Sequence, residues 1–361
     1  MKATVYQDQL SYGIGIVYRA ISNRLLIPIL ANILMECDGK RMKLSATNLE
    51  IGISVFINVE SCEAFSTAVP AKILSDLIDT LDGLLELDYE AETLIVKSEG
   101  SKHNIRCIAS DDFPKIPSFP ETYFSIPAKV FRLMVQRSSI SALSPSIEQG
   151  AAITGVLVAV ERNEIQSIAL DRFRMSRCSY EVEKEIGQFK ILVPAVMFSE
   201  VTKLISSENV SIAYDNEKVQ FHTGDIDIFV ALLGNIEQFP DYTQLPSSVG
   251  KTIFTAKTSD IVKSLKRSAV FTDEKNLVVF NVNPLLVEVL ANAQQGESKS
   301  TIAGQVVGSP VSVKLNVRYL LDVLGVVGSD ETVFMFNGEK GSVFAKAAGD
   351  DTFVHLIMPF V

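Results

Sequence analysis

Three stretches of the chain share one signature: an apolar residue, then Pro-Ala, then hydrophobic positions at helical spacing. After Pro70 come Ile73, Leu74, Leu77, Ile78 and Leu81. After Pro127 come Val130, Phe131, Met134 and Val135, and after Pro194 come Met197, Phe198, Val201 and Leu204. Such spacing gives a helix one apolar stripe, and proline at a first helical position is pre-organised for the turn. Three further stretches repeat the spacing without the proline: Leu10, Ile14, Val17 and Ile21; Ile261, Val262, Leu265 and Ala269; Tyr319, Leu320, Val323 and Leu324. The six predicted helices begin near residues 8, 70, 127, 194, 255 and 316. The chain therefore repeats itself roughly every 60 residues.

The stretches between the helices read as strands. They include Lys43–Thr47, Ile51–Ile57, Thr93–Lys97, Val156–Val160, Glu164–Ala169, Val210–Tyr214 and Glu331–Phe336, punctuated by Asp38-Gly39, Arg162-Asn163, Asp215-Asn216 and Asn337-Gly338. Strands joined by tight turns pair antiparallel, so the class is α+β, with about four strands for each helix. A longer period lies on top. Asp112-Phe113-Pro114 and Gln238-Phe239-Pro240 each lead into a proline-punctuated stretch, and Met358-Pro359 closes the chain. The expectation is three similar domains, residues 1–120, 121–246 and 247–361, each an internal duplication of a helix-plus-strands unit. One unit alone could not bury both its helix face and its sheet face.

Composition narrows the class. Of 361 residues, 47% are apolar and 21% charged, enough for packed cores and unlike a disordered chain. The most apolar run, Leu25–Met35, is too short to span a bilayer and contains Pro28. The N-terminus carries no apolar signal core, so a cytoplasmic protein is expected, without membrane attachment. Cys37, Cys62, Cys107 and Cys178 are scattered and read as reduced, half-buried small hydrophobes. The three histidines have no metal-ligand spacing, so neither metal nor cofactor is expected.

The net charge is −10, which alone argues against bulk electrostatic binding of nucleic acid. Its distribution alters that picture. The six helical segments together are net positive, and the strands and loops carry the acidic excess. Most of the positive charge sits at Lys129, Arg132 and Arg137 and at Lys257, Lys263, Lys266 and Arg267, while Asp76, Asp79 and Asp82 oppose it. The surplus reads either as ordinary solvated helix faces or as one surface turned toward a polyanion. No phosphate-binding loop, nucleophile elbow or zinc-protease motif is present. Asp171-Arg172-Phe173-Arg174 reads as a strand-end ion pair in preference to a catalytic cluster, and no enzymatic activity is expected.

In order along the whole chain, the residues resemble the bacterial DNA sliding clamp, the β subunit of DNA polymerase III. The resemblance is carried by Asn23–Leu34, Ala46–Ile53, Val69–Lys72, Asp112–Pro114, Thr154–Leu157, Phe239–Tyr242, Leu315–Leu324 and Met358-Pro359. It implies a three-domain fold and a head-to-tail homodimer closing a ring, with helices lining the hole. It also implies a processivity factor that encircles double-stranded DNA without sequence preference and serves a replicative polymerase and a clamp loader. Arg24 and Lys72 match basic DNA-facing positions of that family; Lys129, Arg132, Arg137, Lys263, Lys266 and Arg267 join them on the helix pattern. A hydrophobic pocket for partner peptides is implied at Ile153, Leu170, Arg174, Met175, Pro240, Ser342, Leu356, Met358, Pro359 and Phe360. Ile105 of one chain is implied to pack near Val270 and Phe271 of the next.

The chain also departs from the family pattern. Asp171-Arg172-Phe173-Arg174-Met175 stands where Asp-Gly-His-Arg-Leu is usual, which puts bulk at a tight turn on the pocket rim. The loop before Gly155 is Glu148-Gln149-Gly150-Ala151-Ala152, without the usual basic or aromatic residues. A clamp-derived scaffold that no longer encircles DNA, and an α+β hydrolase, are the competing readings.

Overall fold

A computed structural model describes residues 1–21, 27–121, 123–148, 151–183, 185–243 and 250–361. All six expected helices are there: α1 (Gln7–Val17), α2 (Ala71–Ile78), α3 (Ala128–Ser139), α4 (Ala195–Leu204), α5 (Thr258–Ala269) and α6 (Val317–Val326). Each follows directly on a strand. The prolines of the Pro-Ala pairs sit one residue earlier than expected, as last residues of the strands Phe65–Pro70, Phe124–Pro127 and Gly187–Pro194. A residue with fixed φ and no N–H suits the end of a ladder as well as the start of a helix. Only Asn316 caps its helix by side chain among the described caps, taking the N–H groups of Arg318 and Tyr319.

The strands among the described residues pair antiparallel and divide over two compact units. The first unit comprises Met1–Ala128 and Glu200–Leu232. It holds a five-stranded sheet in the order Ser61–Cys62, Lys2–Tyr6, Leu84–Glu90, Thr93–Ser98, Ser101–Arg106. Its eight-stranded sheet runs Phe124–Pro127, Asn209–Tyr214, Lys218–Thr223, Ile226–Ala231, Ile51–Ile57, Met42–Thr47, Asn32–Cys37, Phe65–Pro70. Here α1 packs on the strands Met42–Thr47 and Ile51–Ile57 and against α2. Gly13 allows that approach, because a Cβ there would stand 2.8 Å from both Leu44 and Ile57 side chains.

The second unit comprises Lys129–Ser199 and Leu233–Val361. Its nine-stranded sheet runs Gly187–Pro194, Gly155–Arg162, Glu164–Leu170, Arg174–Glu181, Phe353–Ile357, Val343–Ala347, Glu331–Phe336, Thr252–Lys257, Gln305–Gly308. The four-stranded sheet runs Gly296–Ile302, Leu286–Ala293, Leu277–Asn283, Val311–Asn316, and α5 packs on its first two strands and against α6. Phe280, Phe334 and Phe336 are fully buried, with ring centroids 6.1–6.3 Å apart. Phe131 and Phe198 join α3 to α4 edge-on at 5.4 Å.

The middle third of the sequence thus contributes strands to a sheet in each unit. Ile226–Val230 pairs with Ile51–Val55, and Arg174–Cys178 pairs with Phe353–Ile357. The first ladder is pinned at Gly52, where a Cβ would stand 1.9 Å from the ring of Phe229 opposite. Only glycine leaves room for that ring.

Candidate functional site

The basic residues named from the helix pattern are not equivalent. On α5, Ile261, Ser264, Leu265 and Ser268 are buried, which turns Lys263, Lys266 and Arg267 together to the exposed face. Lys263 lies 3.8 Å from Asp260, a solvated pair of little energetic weight. Lys129 is exposed at the start of α3, and Arg132 is half-buried on it. Lys72 is exposed on α2, but its ammonium sits 2.9 Å from Asp76, one turn on. Arg24 lies outside the described residues.

Arg137 does not belong to this set, and the structure corrects the expectation. It is 4% exposed, pairs with Asp350 at 2.9 Å, and donates to the carbonyls of Val326 (3.3 Å) and Val327 (2.9 Å) where α6 ends. Phe353 lies under its guanidinium, 4.8 Å from the ring centroid. A cation at a helix C-terminus satisfies carbonyls that have no partner within the helix. Counting charges along a helix cannot distinguish such an inward arginine from a solvated one.

Of the residues matched to the peptide pocket, Leu170, Met175 and Leu356 share one face of the nine-stranded sheet, while Arg174, next to Met175 on its strand, turns to the other. Leu170, Met175 and Leu356 belong to a buried cluster with Ala152, Leu157, Ile168, Leu192, Met335 and Phe344, against which Ile153, Phe239 and Tyr242 pack. Ser342 is buried, its carbonyl accepting from Asn337, whereas Pro240 is exposed. Beside this apolar floor the chain end stays open: Met358 is 46% and Phe360 49% exposed, with Pro359 half-buried between them. Backbone bonds hold that end, Met358 N–H to Phe173 (2.8 Å) and Phe360 N–H to Lys314 (2.9 Å), and Lys275 lies over the Phe360 ring.

Arg174 stands at the rim with its charge satisfied. Its Nε donates to Asp171 at 3.0 Å, its Nη1 to Asp322 at 2.5 Å, and its guanidinium lies 4.2 Å from the Tyr319 ring centroid. Burial foremost, then Asp171, pushes the Tyr319 phenol up. Tyr319 and Asp322 escaped the sequence reading because they sit on α6, where apolar spacing named Tyr319 only as a core position. The turn itself shows no strain. Neither Arg172 nor Phe173 has a positive φ, and Asp171 Oδ1 takes the N–H groups of Phe173 and Arg174. Arg172 leans outward to Glu148 at 2.9 Å. The bulk expected to crowd the turn therefore lies in solvent. Past it lies a cavity of about 590 Å³ lined by Leu143, Pro145, Phe173, Val196 and Tyr319 among others.

Two sheet edges carry the residues matched to a subunit contact. Ser101–Arg106 ends the five-stranded sheet, and Gly296–Ile302 ends the four-stranded one. Val270 is 78% exposed, and Phe271 lies over Gly296, 3.3 Å from where a Cβ would be. Ile105, implied to pack near Val270 and Phe271 of the next chain, is only 4% exposed and belongs to its own unit's core. Alternation along the strand turns Ile105 inward and leaves Asn104 and Arg106 on the other side. The described residues hold no cluster able to bind a metal and no helix long and apolar enough to cross a membrane.

Models of the N-terminal, central and C-terminal domains of the DNA polymerase III beta subunit match residues 1–117, 125–241 and 244–361 in turn. A beta sliding clamp of Pseudomonas aeruginosa is 24% identical over 368 residues, and one of Bacillus subtilis is 25% identical over 379, each alignment covering 99% of both chains. Among solved structures, the DNA polymerase III subunit beta of Pseudomonas aeruginosa superposes with a TM-score of 0.93 at 24% identity over 100% of both chains. A Bacillus subtilis polymerase sliding clamp gives 0.94 at 22% identity, covering 100% of this chain and 99% of that one.

Proposed function

The chain belongs to the DNA polymerase III beta-subunit family, and from that premise we infer that it is a sliding clamp: a processivity factor that encloses duplex DNA and tethers a polymerase to it. The observation that carries this reading is the succession of three domain models over nearly the whole length. The domains are taken as residues 1–120, 121–246 and 247–361, and the protein acts in the cytoplasm without a catalytic step of its own.

A heterologous contact between two copies closes into a ring when the rotation allows. The open edge Ser101–Arg106 of one copy meets the open edge Gly296–Ile302 of the other, with Val270 and Phe271 beside the joint, so neither edge is left to pair at random. Ile105 contributes backbone there. Enclosure relieves the protein of any need to grip. Phosphate contacts can be loose and independent of sequence, and Lys129, Arg132, Lys263, Lys266 and Arg267 supply them. An acidic exterior does not oppose this, since net charge says little about the lining of a hole.

Partner peptides, from the replicative polymerase and the clamp loader, dock where exposed Met358 and Phe360 stand beside the Leu170–Met175–Leu356 floor. An adaptable thioether with aliphatic and aromatic walls suits a site that serves several peptides. The test is retention on DNA. Loaded onto nicked circular DNA by a clamp loader, the protein is expected to stay bound through a high-salt wash and to fall off when the circle is cut. Loss from intact circles at the same salt, or a strictly monomeric mass by light scattering at micromolar concentration, overturns the reading in favour of a non-encircling scaffold.

A further inference from the structure

The cavity of about 590 Å³ beside the turn 171–173 lies outside the peptide pocket, and its size is that of a ligand site. Its apolar walls come from separate parts of the second unit. Leu143, Pro145 and Ile147 follow α3, Phe173 stands in the turn, Val196 is in the first turn of α4 and Tyr319 in the first turn of α6. Ile147, Phe173 and Val196 are all exposed. Large apolar side chains exposed singly are ordinary, but several converging on one hollow mark a surface for binding.

The cavity adjoins the pocket. Phe173 lines the cavity, and its carbonyl accepts the Met358 N–H at 2.8 Å. The Leu143 N–H donates to the carbonyl of Ile153 at 2.8 Å, and Ile153 packs against the floor formed by Leu170, Met175 and Leu356. Two backbone bonds thus join the walls of the cavity to those of the pocket, with the turn 171–173 as the ridge between them.

The charge at the mouth is one-sided. Asp171 is used within the fold, accepting from the N–H groups of Phe173 and Arg174 and from Arg174 Nε. Arg174 is held in turn by Asp171 and Asp322. Arg172 is different: it is exposed, and its partner Glu148, at 2.9 Å, is exposed as well. A solvated pair of that kind is weak, so a carboxylate brought by a ligand can replace Glu148.

We propose that the cavity is a second subsite for the partner peptide, an inference that rests on the docking of such peptides at Met358 and Phe360. A flanking segment of the peptide crosses the turn 171–173, seats one large apolar side chain against Leu143, Val196 and Tyr319, and sets an acidic residue against Arg172. Two anchors on one chain raise affinity because the second contact is made at high effective concentration. Arg172 and Phe173, which stand where Gly and His are usual, supply the charge and one wall, so the subsite is a feature of this chain.

The test is an anisotropy titration of the full chain with a fluorescent polymerase-derived core peptide and two lengthened forms. Each lengthened form carries a Gly-Ser spacer and a Glu-Phe pair, at the amino end in one and at the carboxyl end in the other. One of them is expected to bind about tenfold more tightly than the core. Val196→Asp should abolish that gain and leave the core's affinity unchanged, which also shows that the variant is folded. Arg172→Glu should reduce the gain, and a Lys-Phe extension should restore it. If neither extension tightens binding while the core binds, or if the gain survives either variant, the second subsite is wrong and the docking of the core stands. If the core itself does not bind, pocket and subsite fall together.

Discussion

Arg137 Nη1 lies 2.9 Å from Asp350 Oδ2, and this pair ties the end of α6 to the turn before the last strand. The arginine side chain is 5% exposed and the aspartate 25%. Breaking a buried pair strands the remaining charge. Arg137→Met is expected to destabilise the second unit by about 3 kcal/mol, read as a shift of the urea midpoint, and to leave DNA binding unchanged. A loss of DNA affinity with stability intact would return Arg137 to the DNA-facing set. Burial raises the Asp350 carboxyl, but the Thr352 hydroxyl and N–H together with Arg137 outweigh it and hold the group below the ordinary carboxylate range. The pair's contribution is therefore full above about pH 4 and is lost as pH falls through the lower folded value. The variant should flatten stability in that acid window.

His355 gives a second pH dependence, at less acid pH. It is fully buried in the nine-stranded sheet, its Nδ1 2.8 Å from Ser176 Oγ, and Ser176 Oγ is 2.8 Å from Ser141 Oγ. Burial, helped by Arg174, lowers its pKa to about 3. The folded protein keeps the ring neutral while the unfolded chain takes up a proton near the ordinary value of about 6.5. Stability is thus full above that pH and falls by up to about 1.4 kcal/mol per pH unit below it. His355→Gln should reduce the difference in urea midpoint between pH 7 and pH 5; an unchanged difference would assign the slope elsewhere.

The exposed face of α5 should dominate the salt response. Replacing Lys263, Lys266 and Arg267 together by alanine is expected to lower the slope of log affinity against log salt by about 2–3 for linear duplex DNA. Lys72→Ala should lower it by no more than about 1, as expected for the loss of one exposed cation beside Asp76. Equal effects from the two variants would mean that the basic residues act through net charge alone.

Met358→Ala with Phe360→Ala removes two half-exposed apolar walls while sparing the buried floor. Binding of a fluorescent polymerase-derived peptide should weaken at least tenfold in an anisotropy titration, equivalent to about 1.4 kcal/mol, with the oligomeric mass unaltered. Undiminished affinity would remove the chain end from the pocket.

Much of this architecture was readable from periodicity. The six amphipathic stripes became six helices, and runs such as Ile51–Ile57 and Glu331–Phe336 became strands with the expected limits. Local pattern sufficed because each element has one face to bury. What pattern could not supply was pairing at a distance. Nothing in Arg174–Glu181 says that it will lie beside Phe353–Ile357, because register across some 180 residues is set by packing (Phe229 on Gly52 is the counterpart in the first unit). The candidate sites divide along the same line. Met358 and Phe360 were named from family resemblance and are exposed, while Arg137 was misplaced and Tyr319 overlooked because the direction of a side chain depends on neighbours remote in sequence.

The strand Phe353–Ile357 lies in the interior of its sheet, bonded on both sides, although it comes last in the chain. During synthesis the first unit has all its strands once Ala231 has emerged. The second must wait, with Arg174–Glu181 and Val343–Ala347 lacking their common neighbour, until Ile357 has emerged. A chain that stops short of Phe353 would therefore have one finished unit and one unclosed unit, a natural target for proteolysis.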